Sequence, residues 1–246
     1  MVQGLTEFLP VSSSGHLVLA QKYLGIEPPG IVLEVALHVA TALAIVIYFR
    51  RRLRTIFAAS ARGPGGWLRF VGLVAVASLP AAAVGIVLED KIEPLFESGR
   101  AVGAALLFTA AVLVASSFLK RRDAKLAALG FAAALAVGGA QALAVAPGIS
   151  RSGMTIVAGL AVGLAGAEAA AFSFLLSVPA VLGAAFLEAG KIEGFEGNWA
   201  GLALAAVVAF AAALAAIYVV LASVRGRGFG WFGAYCGALG LSALLI

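Results

Sequence analysis

The sequence predicts an all-α polytopic membrane protein: an inverted-topology repeat with two re-entrant helical hairpins and about six full spans. Three observations carry this expectation. Of 246 residues, 63% are hydrophobic and 12% charged, with a mean hydropathy of +1.07, where a soluble domain carries about 25% charged residues. Basic and acidic loops alternate along the chain. Two apolar stretches, 1–24 and 126–163, are each interrupted by a Pro/Gly/Ser break.

Taken in order, the stretch 1–24 breaks at Pro10, which stops a helix because it lacks an N–H. Ser12, Ser13 and Ser14 can cap the next helix, expected to start near Gly15. Spanning segments follow near 33–49, 67–88 and 100–119. Each is close to the roughly 20 residues that cross a bilayer, and too long for a signal sequence. The stretch 126–163 breaks at Pro147-Gly148, and spans near 169–188, 199–222 and 229–246 complete the chain. Glu168 is expected to start the helix at 169. Abundant Ala and 30 Gly suit close helix packing in lipid.

Topology follows from the charges. Arg50, Arg51, Arg52, Arg54 and Arg62 form one basic loop; Lys120, Arg121, Arg122 and Lys125 form another; Arg225 and Arg227 form a third. Between them lie Glu89, Asp90, Glu93 and Glu97, then Glu188, Glu193 and Glu196. The positive-inside rule puts the basic loops in the cytoplasm and the acidic ones outside. The loop at 120–125 is then inside and that at 188–196 outside, with one crossing between them. So 126–163 enters and leaves from the cytoplasm, and by the same count 1–24 enters from outside. The chain reads as one integral membrane domain, 1–246, with repeat 1 at about 1–119 and repeat 2 at about 126–246. Gln3-Gly4-Leu5 meets Gln141-Ala142-Leu143, and at the same offset Val11-Ser12-Ser13-Ser14-Gly15 meets Ile149-Ser150-Arg151-Ser152-Gly153. Inverted repeats bring such breaks together at the midplane, so the two are expected to build one site.

The breaks hold the costly side chains. An arginine at bilayer depth costs about 2.5–3.5 kcal/mol on insertion scales, so Arg151 needs a partner or a task. Helix breaks free backbone amides, and amides with a guanidinium make an anion site, phosphate first among candidates. Gln3 and Glu7, four apart, share a helix face, and Glu7 and His16 flank the serines. The set suits cleavage of a phosphate ester or anhydride. Arg151 would neutralise phosphoryl oxygens. Ser13 would attack phosphorus or orient a water, and His16 or Glu7 would move the proton. Ser12, Ser14, Ser150, Ser152, Thr155 and Gly148 are candidates to hold the substrate. Gln3 and Glu7 can hold a divalent cation, Mg2+ or Ca2+, with waters and substrate phosphates completing the shell. The structural alternatives are serines that only satisfy backbone groups, a hydrogen-bonded His16, and a buried Glu7–Arg151 ion pair. Pure structure rarely needs that density of polar groups.

Other features are weaker. Glu34 and His38 share a helix face that serves function or packing. Phe172-Ser173-Phe174-Leu175-Leu176 reads as packing, and Thr109, Ser116 and Ser117 as interhelical bonds. The lone Cys236 excludes an internal disulfide framework. The net charge of +5 fits loops beside anionic lipid, and no basic patch for nucleic acid occurs.

The segments Gln3-Gly4-Leu5-Thr6-Glu7-Phe8-Leu9-Pro10-Val11-Ser12-Ser13-Ser14-Gly15-His16 and Pro147-Gly148-Ile149-Ser150-Arg151-Ser152-Gly153-Met154-Thr155 resemble motifs of the undecaprenyl-diphosphate phosphatase, or bacitracin-resistance, family. The first contains that family's Glu/Gln-x-x-x-Glu pattern as Gln3 and Glu7. Glu34-Val35-Ala36-Leu37-His38 and Phe172–Leu176 with Pro179 match more weakly. The resemblance implies a bacterial cytoplasmic (inner) membrane enzyme whose partner is a polyprenyl diphosphate lipid. It would hydrolyse undecaprenyl diphosphate to the monophosphate carrier and inorganic phosphate, for cell-wall synthesis. It also implies functional roles for Glu7, Ser13, His16 and Arg151, a Mg2+ or Ca2+ requirement, and a site opening to the outer face. There are departures. Gly166 and Ala171 stand where the family has basic residues, and Cys236 stands where an arginine follows the tyrosine. The family's first helix arm is longer than the two residues before Gln3. The alternative function is a lipid flippase or secondary transporter on the same repeat, which needs a binding site but not a nucleophile and proton carrier together. The sequence leaves a homodimer open.

Overall fold

The computed structural model describes residues 1–25, 30–60, 66–120, 122–190, 192, 197–226 and 228–245. Arg62, Arg121, Glu193, Glu196 and Arg227, placed in loops by the sequence, lie outside the described residues, as does the side chain of Glu89. Among the described residues the fold is all-helical. Helices α1 (Val2–Thr6) and α2 (Ser13–Leu24) flank the first break. Helices α3 (Ile31–Tyr48), α4 (Arg50–Ser60), α5 (Trp67–Val87), α6 (Glu89–Phe96) and α7 (Gly99–Ser116) follow. Helices α8 (Phe131–Leu143) and α9 (Arg151–Ala161) flank the second break, and α10 (Gly166–Ala189), α11 (Trp199–Arg225) and α12 (Trp231–Leu245) end the chain.

Five helices, α3, α5, α7, α10 and α11, are long and apolar enough to cross a membrane, which makes this a multi-pass membrane protein. The sixth expected span, 229–246, is shorter: Phe229 and Gly230 lie in a turn that ends with Trp231 N–H on the Gly228 carbonyl, leaving α12 with 15 residues. Helices α2, α8 and α9 have 12, 13 and 11 residues, about half a span at 1.5 Å per residue.

Local chemistry moves three other expectations. Helix α2 begins at Ser13 rather than near Gly15, because Ser12 already serves as its N-cap and accepts from Gly15 N–H. Helix α10 begins at Gly166, and Glu168 sits within its first turn. There Glu168 pairs with Arg52 of α4 and accepts from Leu126 N–H at 2.7 Å. Ser116 donates to the Leu113 carbonyl of its own helix, and Ser117 packs its hydroxyl against Gly230, so among the described residues neither makes the interhelical bond the sequence suggested. Thr109 does not bond to a helix either: it donates to the Gly148 carbonyl in the turn between α8 and α9.

Arg52, Arg69, Lys120, Arg122, Lys125 and Arg225 line two cavities around the start of α10 and make a basic end there. Arg69 of α5 donates to the Ala127 and Leu129 carbonyls beside the Arg52–Glu168 pair, tying α4, α5 and α10 to the chain before α8. The helix before each break packs on a span distant in the sequence: α1 on α11, and α8 on α5. Both contacts rest on glycine. A Cβ on Gly4 would sit 2.4 Å from the Ala209 carbonyl oxygen, and one on Gly138 the same distance from that of Ala77. Helix α12 packs along α7 and anchors the first break, where the Cys236 thiol donates to the Pro10 carbonyl at 3.5 Å.

Gly138→Ala is therefore expected to destabilise the detergent-solubilised protein by about 1–3 kcal/mol, the usual cost of overpacking. Gly139→Ala, with open space at its Cβ position, is the control. Equal melting temperatures for the two variants would contradict the α5–α8 packing. Cys236 is 0% exposed and a buried thiol is inert, so a maleimide should label it only on unfolding. Full labelling of the folded protein within minutes would contradict its place against Pro10.

Candidate functional site

The first break forms where α1 ends and Pro10 cannot continue it. Ser12 turns the chain with φ 65°, a conformation uncommon for serine and held here by contacts on both sides. Its hydroxyl accepts from Gly15 N–H at 3.2 Å, capping α2, and from Gly148 N–H at 3.1 Å, reaching the second break. Ser14 lies 3.3 Å from the same oxygen.

The second break repeats this chemistry. Ser150 caps α9 by accepting from Gly153 N–H at 3.1 Å, and Ser152 lies 3.3 Å from it. Ser152 also donates to the Leu9 carbonyl. Gly148 has φ +94°, and a Cβ there would meet the Val102 carbonyl oxygen at 2.6 Å, so only glycine fits. Thr109 of α7 donates to the Gly148 carbonyl at 3.0 Å and accepts from Ser150 N–H at 3.1 Å. The two breaks thus meet, and the N-termini of α2 and α9 open on one point.

Ser13 and Arg151 occupy the first positions of those helices, and both reach Glu7. Ser13 donates to Glu7 Oε2 at 2.8 Å, and Arg151 pairs with Glu7 Oε1. The side chains of Glu7 and Arg151 are 10% and 22% exposed. The ion pair considered from sequence therefore exists, and its carboxylate also holds the serine hydroxyl. Two positive helix ends, a guanidinium and one carboxylate make a centre that suits a phosphate group.

His16 sits differently. Nδ1 lies 2.8 Å from the Ser12 carbonyl and Nε2 lies 2.7 Å from the Tyr235 hydroxyl, with the two rings stacked at 5.6 Å. A carbonyl only accepts, so Nδ1 carries the proton and Nε2 accepts from Tyr235. His16 touches neither Ser13 nor Glu7 through a hydrogen bond. Thr155 donates to the Arg151 carbonyl and bonds Ser173 of α10 at 2.6 Å, one turn below Arg151. Ser173 stands between Phe172 and Phe174, both buried, and Phe8 meets Phe174 edge-on at 5.5 Å. Gln3 is buried one turn before Glu7 and accepts the Glu7 N–H with its carbonyl. Gln141, its partner in the sequence repeat, is buried with Oε1 unpartnered. Glu34 and His38 lie away from the breaks; His38 Nδ1 is 3.9 Å from Glu188 Oε2 between α3 and α10.

Tyr235 and Ser173 complete the surroundings of the site without having been singled out for it, and Thr109 was read only as an interhelical bond. Tyr235 is 219 positions from His16 in an apolar helix, with no local signal. Among the described residues no group of three or more His, Cys, Asp and Glu side chains is placed to hold a metal. The oxygen donors at the breaks are those of Gln3, Glu7 and the serines, with Glu7 the one carboxylate.

Comparison with known proteins agrees with the motifs. The family model for bacitracin resistance protein BacA matches residues 1–242. A protein named undecaprenyl-diphosphatase from Desulforudis audaxviator is 38% identical over 250 residues, covering 100% of this chain and 94% of that protein. Proteins of the same name from Rubrobacter xylanophilus and Alcanivorax borkumensis are 43% and 41% identical, each covering 85% of this chain and 80% and 81% of their own length. With the match running nearly end to end and both breaks inside it, the chain belongs to the bacitracin resistance protein BacA family.

Proposed function

We infer that the protein hydrolyses undecaprenyl diphosphate to undecaprenyl phosphate and inorganic phosphate, returning the carrier lipid to cell-wall synthesis. The observation that carries this is the Glu7 carboxylate placed between the Ser13 hydroxyl and the Arg151 guanidinium. The relatives' shared name supplies the substrate. The terminal phosphate would sit at the paired N-termini of α2 and α9, with Arg151 turning from Glu7 to its oxygens. Ser13 Oγ attacks that phosphorus while Glu7 takes its proton. The O–P bond to the serine forms, the bridging P–O bond breaks, and the lipid monophosphate leaves with the electron pair. Water then releases inorganic phosphate from the serine. A purely transporting role leaves the Ser13–Glu7 bond without a task.

His16 enters as a clamp rather than the base. Its Nδ1–H holds the Ser12 carbonyl and so fixes the turn that aims Ser13, and Tyr235 fixes the ring. A divalent cation, Mg2+ or Ca2+, fits the hard oxygen donors of Gln3 and Glu7 with substrate oxygens beside them. When bound it would neutralise charge on the diphosphate.

The finer architecture belongs to the same reading. The half-span helices form two re-entrant hairpins of an inverted repeat, the first entering from outside and the second from the cytoplasm of an inner membrane. The matched caps support it: Ser12 with Gly15 and Ser14, Ser150 with Gly153 and Ser152. So do the exchanged arms, α1 on α11 and α8 on α5.

Phosphate release from farnesyl or undecaprenyl diphosphate in detergent, with Mg2+ or Ca2+ and with EDTA, tests the chemistry. Ser13→Ala, Glu7→Ala and Arg151→Ala should each lower kcat by at least about 100-fold. Full rate in any of them, or no loss with EDTA, sinks the corresponding role. Tyr235→Phe should lower kcat several-fold with KM little changed, and His16→Asn, which keeps a donor toward Ser12, should retain more activity than His16→Ala. Equal, near-complete loss in both variants would make His16 the proton carrier.

A further inference from the structure

We propose that a second phosphate-binding site lies at the basic end of the molecule, in a cavity at the far end of α9 from Arg151. The cavity has a volume of about 790 Å³ and is lined by Lys120, Arg122 and Arg225, the Ser117 hydroxyl, Leu160 and the start of α10. Among the described residues its lining contains three cations and no carboxylate.

A preference for basic loops on one side of the membrane accounts for the end of the molecule these charges occupy. It does not account for their meeting in a concavity. Around this cavity the chain fixes its cations. Gly163 has φ +101°, and a Cβ there would come within 3.2 Å of Arg122 Cδ, so the absent side chain lets the arginine stem lie against the backbone. Among the described residues neither Lys120 nor Arg122 has a carboxylate partner.

The first turn of α10 makes the cavity an anion site in particular. Its N-cap, Ala165, offers no side-chain bond, while Gly166 and Ala167 line the cavity. N–H groups at such a position have no partner within the helix. The acid of that turn, Glu168, faces the other way, into a neighbouring cavity of about 450 Å³ where Arg52 pairs with it. So the carboxylate of that turn lines the other cavity and not this one.

The ligand chemistry is a phosphate group, carried by a membrane lipid headgroup or free in solution. The site lies about 16 Å from Arg151, the length of the 11-residue α9, and is therefore separate from the catalytic break. The proposal does not depend on the hydrolysis reading.

Native mass spectrometry of the full chain in detergent tests it, with dioleoyl phosphatidylglycerol, dioleoyl phosphatidylcholine and inorganic phosphate as probes. The comparison is wild type against the Lys120→Gln, Arg122→Gln double variant. Both side chains are exposed, and an unchanged melting temperature shows that the variant folds. Wild type should bind phosphatidylglycerol in preference to phosphatidylcholine. The variant should lose roughly 30-fold of that preference, equivalent to about 1 kcal/mol per cation. Saturable binding of inorganic phosphate, lost in the variant, would support the site and identify free phosphate as its source. Equal binding of both lipids together with no phosphate binding, or unchanged binding by the variant, overturns it.

Discussion

Glu7 bridges the two broken segments: it accepts from Ser13 at the start of α2 and pairs with Arg151 at the start of α9. Much of the fold can be understood as keeping that bridge satisfied. Taking either charge out of water is expensive, and removing one member of such a pair typically costs about 3–5 kcal/mol because the other is left uncompensated. The bridge ties residue 7 to residue 151, so the two breaks cannot separate without exposing it. The remaining polar contacts between the breaks, Ser12 to Gly148 and Ser152 to Leu9, run in parallel with it. Together they turn two half-length helical pairs into one unit.

Broken helices are tolerated at membrane depth only where freed backbone groups find partners in protein. Here the partners are hydroxyls. Ser12 and Ser150 cap their own helices, while Thr109 serves Gly148 and Ser150 together. The backbone strain at Ser12, with φ 65°, persists because its hydroxyl has two donors to satisfy and its carbonyl is held by His16. Gly148 makes the meeting possible from the other side, since any side chain would strike α7. The same small-residue logic lets α1 lie on α11 and α8 on α5.

How much of this was legible varied with how local the signal was. Pro10 and the serines after it announced the first break, and Arg151 in an apolar chain announced the second, because each departs from its immediate neighbours. The five span-length helices followed from apolar length. The choice between His16 and Glu7 as partner of Ser13 was not legible. It depends on the positive φ of Ser12, which turns His16 toward Tyr235 and leaves Glu7 facing the hydroxyl. Tyr235 itself was silent, one aromatic in a uniformly apolar helix far along the chain. Cys236, noted as a departure from the family pattern, takes a packing role against Pro10. Glu168 was read as a helix-start residue, when its main contacts are with Arg52 and Leu126, which lie 116 and 42 positions away.

The proposed reaction uses the bridge by exchanging its partners. While Arg151 is on Glu7, both charges are compensated and the serine hydroxyl is held in place. When Arg151 turns to an incoming diphosphate, the guanidinium gains a new anion and Glu7 loses its cation. The carboxylate keeps its hydrogen bond from Ser13 and is placed to accept that proton as the hydroxyl attacks. The step that binds substrate is then the step that readies the nucleophile. Without a diphosphate there is no anion to draw Arg151 away, and Glu7 stays occupied. On this account the ion pair considered at first as a structural alternative to a catalytic site is its resting form.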